Sequence, residues 1–388
     1  MASDDPTMQR EGPADRPLSV FFLIRSLNVG GSERQLICLA KGLSADGHGV
    51  TVAVYYAGAL DRELAGSGVR LVNLGKSGRF DIAGMIVRLA RAIREARPDI
   101  VYSFLATSNI LASLVRPFCR RAKLVWGVRA SDMDLKAYDR LTRLSYAAER
   151  LLSKRADLII ANSRKGRDFA VSTGFPRERM IVIPNGIDTE RFRPDREARL
   201  AVRRQWAVQD GETVIGLLAR IDPMKDHATF VRAAAIVAAA RKDSRFVCVG
   251  ADPEGVRPEL EALAHSLGIG TSVLFAGEHS DPVEALNAFD ICCSSSRTEG
   301  FSNSVAEAMA CGIPCAVTDV GDSALIVGST GRVAPAGDPG ALADAILGVM
   351  AELGPRLGEA ARARVVENFS VAALVERSTS AFRAALRA

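Results

Sequence analysis

Residues 297–321 read Arg-Thr-Glu-Gly-Phe-Ser-Asn-Ser-Val-Ala-Glu-Ala-Met-Ala-Cys-Gly-Ile-Pro-Cys-Ala-Val-Thr-Asp-Val-Gly. The stretch follows an apolar run, Phe289 to Cys293, and crosses a short polar turn. It becomes an Ala-rich helix near Ser304 and stops at Gly312 and Pro314 before a second apolar run. That is strand, loop, helix and strand, with glycine and proline where a helix ends. Glu299 falls in the loop and Glu307 in the first turn of the expected helix. Between them Gly300, Phe301, Ser302 and Asn303 should present backbone N–H groups. In an open α/β sheet ligands bind beyond the carboxyl ends of the strands, where the positive end of the following helix favours an anion. A carboxylate beside that anion is costly unless hydrogen-bond donors reach it, and sugar hydroxyls are such donors. A phosphate-linked sugar satisfies both features. Ser304-Val-Ala-Glu307 is also a capping box, a plainer account of Glu307 that leaves Glu299 unexplained.

Residues 299–314, Glu-Gly-Phe-Ser-Asn-Ser-Val-Ala-Glu-Ala-Met-Ala-Cys-Gly-Ile-Pro, resemble the donor-site signature of the family 4 retaining glycosyltransferases, which use nucleotide sugars. The resemblance implies an α/β protein of the GT-B fold, two Rossmann-like domains facing across a cleft. It also implies that Glu299 holds donor-sugar hydroxyls and Glu307 the ribose hydroxyls.

Outward from this stretch the chain alternates apolar runs with helical patterns, which implies parallel sheets covered on both faces. Leu18 to Leu27 is an apolar run that turns at Asn28-Val-Gly30-Gly31 and enters a helix at Ser32, a second anion cradle whose glycines admit a ligand close to the backbone. No G-x-G-x-x-G follows a strand anywhere, so the dinucleotide fingerprint is missing. In the resembled family Gly30-Gly31-Ser32-Glu33 lies near the donor diphosphate and the acceptor, and Asn185-Gly-Ile-Asp188 lines the cleft at the domain junction.

The loop after Leu124 to Val128 carries Arg129 where many family members have a histidine. The histidines of this chain, His48, His227, His265 and His279, lie elsewhere. Asp132-Met-Asp134 imitates a D-x-D metal signature, but the resemblance points to a metal-independent enzyme, and no metal site is expected. Arg220 and Lys225 flank Pro223 in a strand-to-helix loop. Two cations there suit a diphosphate clamp that strengthens as the leaving group gains charge. Their plainer reading is as surface ion-pair partners. Arg-x4-Lys is also the family's pattern, whereas Thr318-Asp-Val-Gly321-Asp322 departs from the glycine pair common at that place.

At 388 residues, with 48% hydrophobic and 24% charged residues, the chain reads as two soluble globular domains. We place a disordered tail at 1–16, an acceptor-binding domain at 17–190 and a nucleotide-sugar-binding domain at 191–368. The final helix, 369–388, crosses back to the first domain by analogy with related folds. The tail is acidic and Pro-bearing, neither signal peptide nor packed element. No apolar run reaches the ~18 residues of a membrane span, and the expected location is cytoplasmic. Seven cysteines without a C-x-x-C pair read as reduced core residues.

Residues 17–188 hold 27 Lys and Arg against 15 Asp and Glu, and residues 189–388 hold 21 against 26, so a basic half precedes an acidic one. Lys136 to Ala156 is a basic amphipathic pattern with Leu141, Leu144, Ala148, Leu151 and Leu152 on one side. It is either a solvated face over a core or a contact with anionic membrane at the inner face of the cytoplasmic membrane.

The resemblance thus implies transfer of a sugar from a nucleotide sugar, expected to be a UDP-sugar, to a hydroxyl of a glycan or polyisoprenoid-linked glycan with retention of configuration. No cofactor is expected beyond that co-substrate. Glu299, Arg220 and Lys225 form the expected catalytic set. The donor-binding set adds Gly31, Gly300, Phe301, Ser302, Asn303, Ser304 and Glu307. Gly30, Arg129, Asn185 and Asp188 face the cleft on the acceptor side. An epimerase or phosphorylase of the same fold is the rival. A nicotinamide enzyme lacks its fingerprint, and a nucleic-acid-binding protein lacks any matching motif, with aromatics at only 6%.

Overall fold

A computed structural model describes residues 16–28, 30–78, 81–129, 140–279 and 281–388, with the side chains of 140–143 left aside. Most of the expected N-terminal tail and the Asp132-Met-Asp134 motif lie outside the described residues.

The first unit runs β1 (Ser19–Ile24), α1 (Gly31–Ala45), β2 (Gly49–Val54), β3 (Arg70–Asn73), α2 (Ile82–Ala96), β4 (Ile100–Phe104), α3 (Ala106–Val115), β5 (Lys123–Val128), α4 (Arg140–Ser153), β6 (Leu158–Ala161), α5 (Arg164–Ser172) and β7 (Met180–Val182). Its strands form a parallel sheet in the order β3-β2-β1-β4-β5-β6-β7. The second unit runs α6 (Arg196–Gln205), β8 (Thr213–Leu218), α7 (His227–Ala240), β9 (Ser244–Val249), α8 (Arg257–Ser266), β10 (Val273–Gly277), α9 (Pro282–Asn287), β11 (Ile291–Ser294), α10 (Asn303–Ala310), β12 (Cys315–Thr318), α11 (Ser323–Val327), β13 (Arg332–Ala334) and α12 (Pro339–Ala351). Its sheet, also parallel, has the order β10-β9-β8-β11-β12-β13. The chain closes with α13 (Pro355–Phe369) and α14 (Val371–Arg387). Helix α13 was not anticipated, because only residues 352–354 separate it from α12.

Apolar side chains on both faces of each strand explain this layering. Phe22 and Ile24 of β1 pack under α1 and α14, whereas Phe21 and Leu23 pack under α2 and α3. A parallel sheet needs such double cover. Each sheet reverses its strand order once, between β1 and β4 in the first and between β8 and β11 in the second, and a crevice opens there at the carboxyl ends.

Helix α14 belongs to the first unit's core. Leu374, Val375 and Phe382 are buried with Phe22 and Tyr102, and the Phe382 and Tyr102 rings meet edge-on at 5.7 Å. The chain reaches it through a crossing point at the junction. Ile187 donates its amide to the Phe369 carbonyl (2.7 Å), and Val371 donates to the Ile187 carbonyl (3.1 Å). Gln35 of α1, itself buried, exchanges two 2.8 Å hydrogen bonds with the Gly186 amide and carbonyl.

Helix α4 corrects one sequence expectation. Leu144 and Leu151, read as part of the apolar side, are 66% and 72% exposed. The inward face carries Glu149 and Ser153, both buried, with Leu152 packed against the core beside them. Asn109 of α3 donates to Glu149 Oε1 at 2.9 Å and accepts from the Ser103 hydroxyl at 2.7 Å. A buried carboxylate needs such a partner, and Asn109 supplies it.

Candidate active site

Arg220 and Lys225 leave the end of β8, and Glu299 leaves the end of β11. These strands are neighbours at the reversal of strand order, so residues 74 positions apart arrive at one crevice. Lys225 Nζ donates to Glu299 Oε1 at 2.5 Å, and the Ser296 hydroxyl donates to the same oxygen at 2.8 Å. Both side chains of the ion pair are largely buried, so the pair is screened far less than a surface bridge.

The turn carrying Lys225 is fixed from several directions. Asp222 Oδ1 accepts from the Met224 and Lys225 amides (2.9 and 3.2 Å), while its Oδ2 pairs with Arg220 at 2.9 Å. Asp226 caps α7 in the left-handed region (φ 45°), which a short polar side chain tolerates. It also accepts from Arg297 Nε at 2.8 Å, and Arg297 in turn donates its amide to the Met224 carbonyl. The Ser295 hydroxyl donates to the Lys225 carbonyl at 2.8 Å. The loops after β8 and β11 are therefore one hydrogen-bonded block. Arg220, by contrast, is 58% exposed and faces the mouth. The plainer reading of these cations is partly realised, since both are ion-paired, but with carboxylates of the same crevice.

Helix α10 starts earlier than the sequence suggested. Its first residue is Asn303 and its cap is Ser302, so Ser304 lies inside the helix and Glu307 is its fifth residue. No capping box forms, and capping no longer accounts for Glu307. Burial pushes the Glu307 carboxyl up to about 7, with the charges of Arg34 and Arg191 pulling it back. The Ser302 hydroxyl is buried at the start of the helix and has no hydrogen-bond partner among the described residues. Ser304 lines one small cavity with Lys225, Ser295, Ser296 and Glu299. Phe301 turns its ring away from the crevice. Its ring is buried in the second core, edge-on to Phe369 at 5.5 Å, which leaves only its backbone for the crevice.

The two units meet over this helix. Asn185 Nδ2 donates to Asn303 Oδ1 (2.8 Å), and Arg129 Nη1 donates to Asn185 Oδ1 (2.6 Å), a relay from the end of β5 to the start of α10. Arg129 lies over the Phe104 ring at 4.7 Å. Gly31, at the start of α1, faces Asn303 so closely that a Cβ there would stand 3.1 Å from Asn303 Nδ2. Gly30 is extended (φ −168°), a conformation any residue adopts, and a Cβ there would meet only the movable Glu33 carboxylate. The starts of α1 and α10 thus converge from opposite domains. Gly300 packs beside Asn162 at the end of β6. Asp188 stands apart, with Oδ1 accepting from the Glu190 and Arg191 amides in a turn of the linker. Ser296, Asp222, Gln35 and Asn162 had not been singled out. Only Asp222, in an Asp-Pro turn, carried a local signal.

Two family models match this chain, one on each half. Residues 29–191 match Glycosyltransferase Family 4, and residues 212–352 match Glycosyl transferases group 1. The chain is a glycosyltransferase, with the family 4 match over its first half. This glycosyltransferase is 26% identical to EpsF of Bacillus subtilis (strain 168) over 313 residues, 77% of this chain and 79% of that one. It is 31% identical to the lipopolysaccharide core biosynthesis mannosyltransferase LpsB of Rhizobium meliloti (strain 1021), over 57% of this chain and 64% of that one. Its fold matches the crystal structure of Anabaena Alr3699/HepE in complex with UDP-glucose, with a TM-score of 0.80 over 95% of this chain and all of that one at 22% identity. The glycosyltransferase therefore has the GT-B fold, two Rossmann-like domains across a cleft.

Proposed function

We propose that this glycosyltransferase moves a sugar from a UDP-sugar to a hydroxyl of a glycan or polyisoprenoid-linked glycan in cell-surface polysaccharide assembly, with retention of anomeric configuration. The observation that carries this reading is the Lys225–Glu299 contact, a cation for a diphosphate touching an acceptor for sugar hydroxyls at the end of β8 and β11. Lys225 and Arg220 hold the diphosphate, Glu299 the sugar and Glu307 the ribose hydroxyls. The bond from the anomeric carbon to the phosphate oxygen breaks and a bond from that carbon to the acceptor oxygen forms on the same face. The acceptor's proton passes to the departing phosphate oxygen, so no protein nucleophile and no metal ion is required. Among the described residues no group of three or more His, Cys, Asp or Glu is placed to hold a metal ion.

Incubation with UDP-sugars, with and without a lipid-linked glycan, tests the reading by product NMR. Transfer that needs the acceptor and gives an unchanged anomeric configuration is expected. Isomerisation of the donor alone, or an inverted product, would overturn it.

Glu307 gives a pH signature. Its carboxyl in the free enzyme has a pKa of about 7 against an ordinary value of 4.5, so between those values the folded state holds a proton that the unfolded state does not. This contribution to stability is greatest below pH 4.5 and is lost as pH rises through about 7. Ribose hydroxyls donate to the ionised form, so donor binding expels that proton. Affinity should rise with pH by up to about tenfold per unit below pH 7 and level off above it. Calorimetry in buffers of different ionisation enthalpy counts the proton, and equal release by Glu307→Gln would refute the assignment.

Membrane contact rests on α4, where Leu144 and Leu151 stand out beside exposed Arg150, Lys154 and Arg155. Among the described residues no helix is long and apolar enough to cross a membrane. Failure of the protein to sediment with anionic liposomes would remove this part of the reading.

A further inference from the structure

We propose that Asp322 is a positioning residue that couples docking of the two domains to placement of the Glu299 loop. Helix α5 in the first domain has the usual unpaired amides at its start. The hydroxyl of its own cap, Ser163, accepts from the Gly166 amide at 3.0 Å. The Arg164 and Lys165 amides donate instead to Asp322 Oδ2 and Oδ1, at 2.8 and 3.3 Å, across the cleft from 158 and 157 positions away. Asp322 is 5% exposed. A buried carboxylate on the positive end of a helix forms charge-assisted bonds that neither water nor the helix's own serine replaces. Lys165 adds an ion pair to Asp319 at 3.1 Å, but both partners are half exposed, so it contributes little.

The other side of Asp322 faces the donor site. Its amide donates to the Gly300 carbonyl at 2.9 Å. Gly321 beside it has φ +54°, and a Cβ there would lie 2.5 Å from the Glu299 carbonyl oxygen and 2.3 Å from that of Gly300. The Glu299–Gly300 backbone is therefore clamped between Gly321 and Asp322 on one side and Asn162 of the first domain on the other. When α5 undocks, Asp322 exchanges two fixed amide donors for water, and the Glu299 loop loses its outer wall. The consequence for catalysis rests on the donor-site reading given above, whereas the docking contact does not.

The Arg164 amide can be deleted without deleting the helix. Proline is well tolerated at the first helical position, and Ser163 is already extended (φ −150°, ψ 155°), as a residue before proline must be. In the full chain, Asp322→Ala and Arg164→Pro should each lower kcat about tenfold or more, the scale of a lost charge-assisted hydrogen bond, with a smaller change in donor KM. The double variant should be no worse than the poorer single one. Arg164→Ala keeps the amide and should turn over like the wild type, and Asp322→Asn should fall between. Hydrogen exchange should quicken in the first turn of α5 in Asp322→Ala. Additive losses, wild-type kcat in Asp322→Ala, or a fall in kcat with unchanged exchange at α5 would each overturn the proposal. If no nucleotide sugar is a donor while exchange at α5 still follows Asp322, the donor-site reading fails and the docking contact stands.

Discussion

Lys225→Ala should lower kcat/KM by about a hundredfold or more, as the loss of a single transition-state contact does, with most of the loss in kcat. The ammonium sits on a turn held by Asp222, Asp226, Arg297 and Ser295, so it requires little rearrangement when charge grows on the departing diphosphate. The alternative is a purely structural ion pair with Glu299. Removing one partner of such a pair leaves an uncompensated charge, and removing both relieves it. The double variant Lys225→Met/Glu299→Gln should therefore regain thermal stability without regaining turnover. Recovery of both in steady-state assays would show that the pair only supports the fold.

Glu299→Ala should cost a similar factor, about a hundredfold or more in kcat/KM. Oε1 is engaged by Lys225 and by the Ser296 hydroxyl, so the carboxylate is oriented before any sugar arrives. Glu299→Gln keeps the shape but loses the charge that strengthens hydrogen bonds from sugar hydroxyls, and should lie between alanine and the wild type. Mass spectrometry of the wild type quenched during turnover should show no sugar attached to Glu299. A glycosylated Glu299 would replace same-face attack with a two-step route.

Much of this architecture is legible along the chain because it is local. Most strands are apolar runs closed by glycine or a polar turn, β13 with only Arg-Val-Ala being the exception, and Glu299, Glu307, Arg220 and Lys225 each sit in a short pattern at a strand-to-helix loop. Contacts between distant positions are not legible in that way. The Ser163 cap of α5 can be read from its neighbourhood, but the Asp322 carboxylate that completes it arrives from the other domain. Gln35 likewise looks like one polar residue of a helix until Gly186, 151 positions on, comes beside it. The period of α4 does not show that Glu149 faces inward, where Asn109, 40 positions earlier, meets it. The burial of the Phe301 ring is not legible locally either, because its aromatic partner, Phe369, comes much later in the chain.

The position of α14 bears on how the molecule is made. On a ribosome, the earlier sheet emerges with the places of Leu374, Val375 and Phe382 unfilled, and it waits for everything between to be translated. Domains made first ordinarily fold first. Here the N-terminal half reaches its final packing only after α14 has been made. A stop codon just before α14 would therefore harm the half that was synthesised earliest, while sparing the β8–β13 sheet made after it.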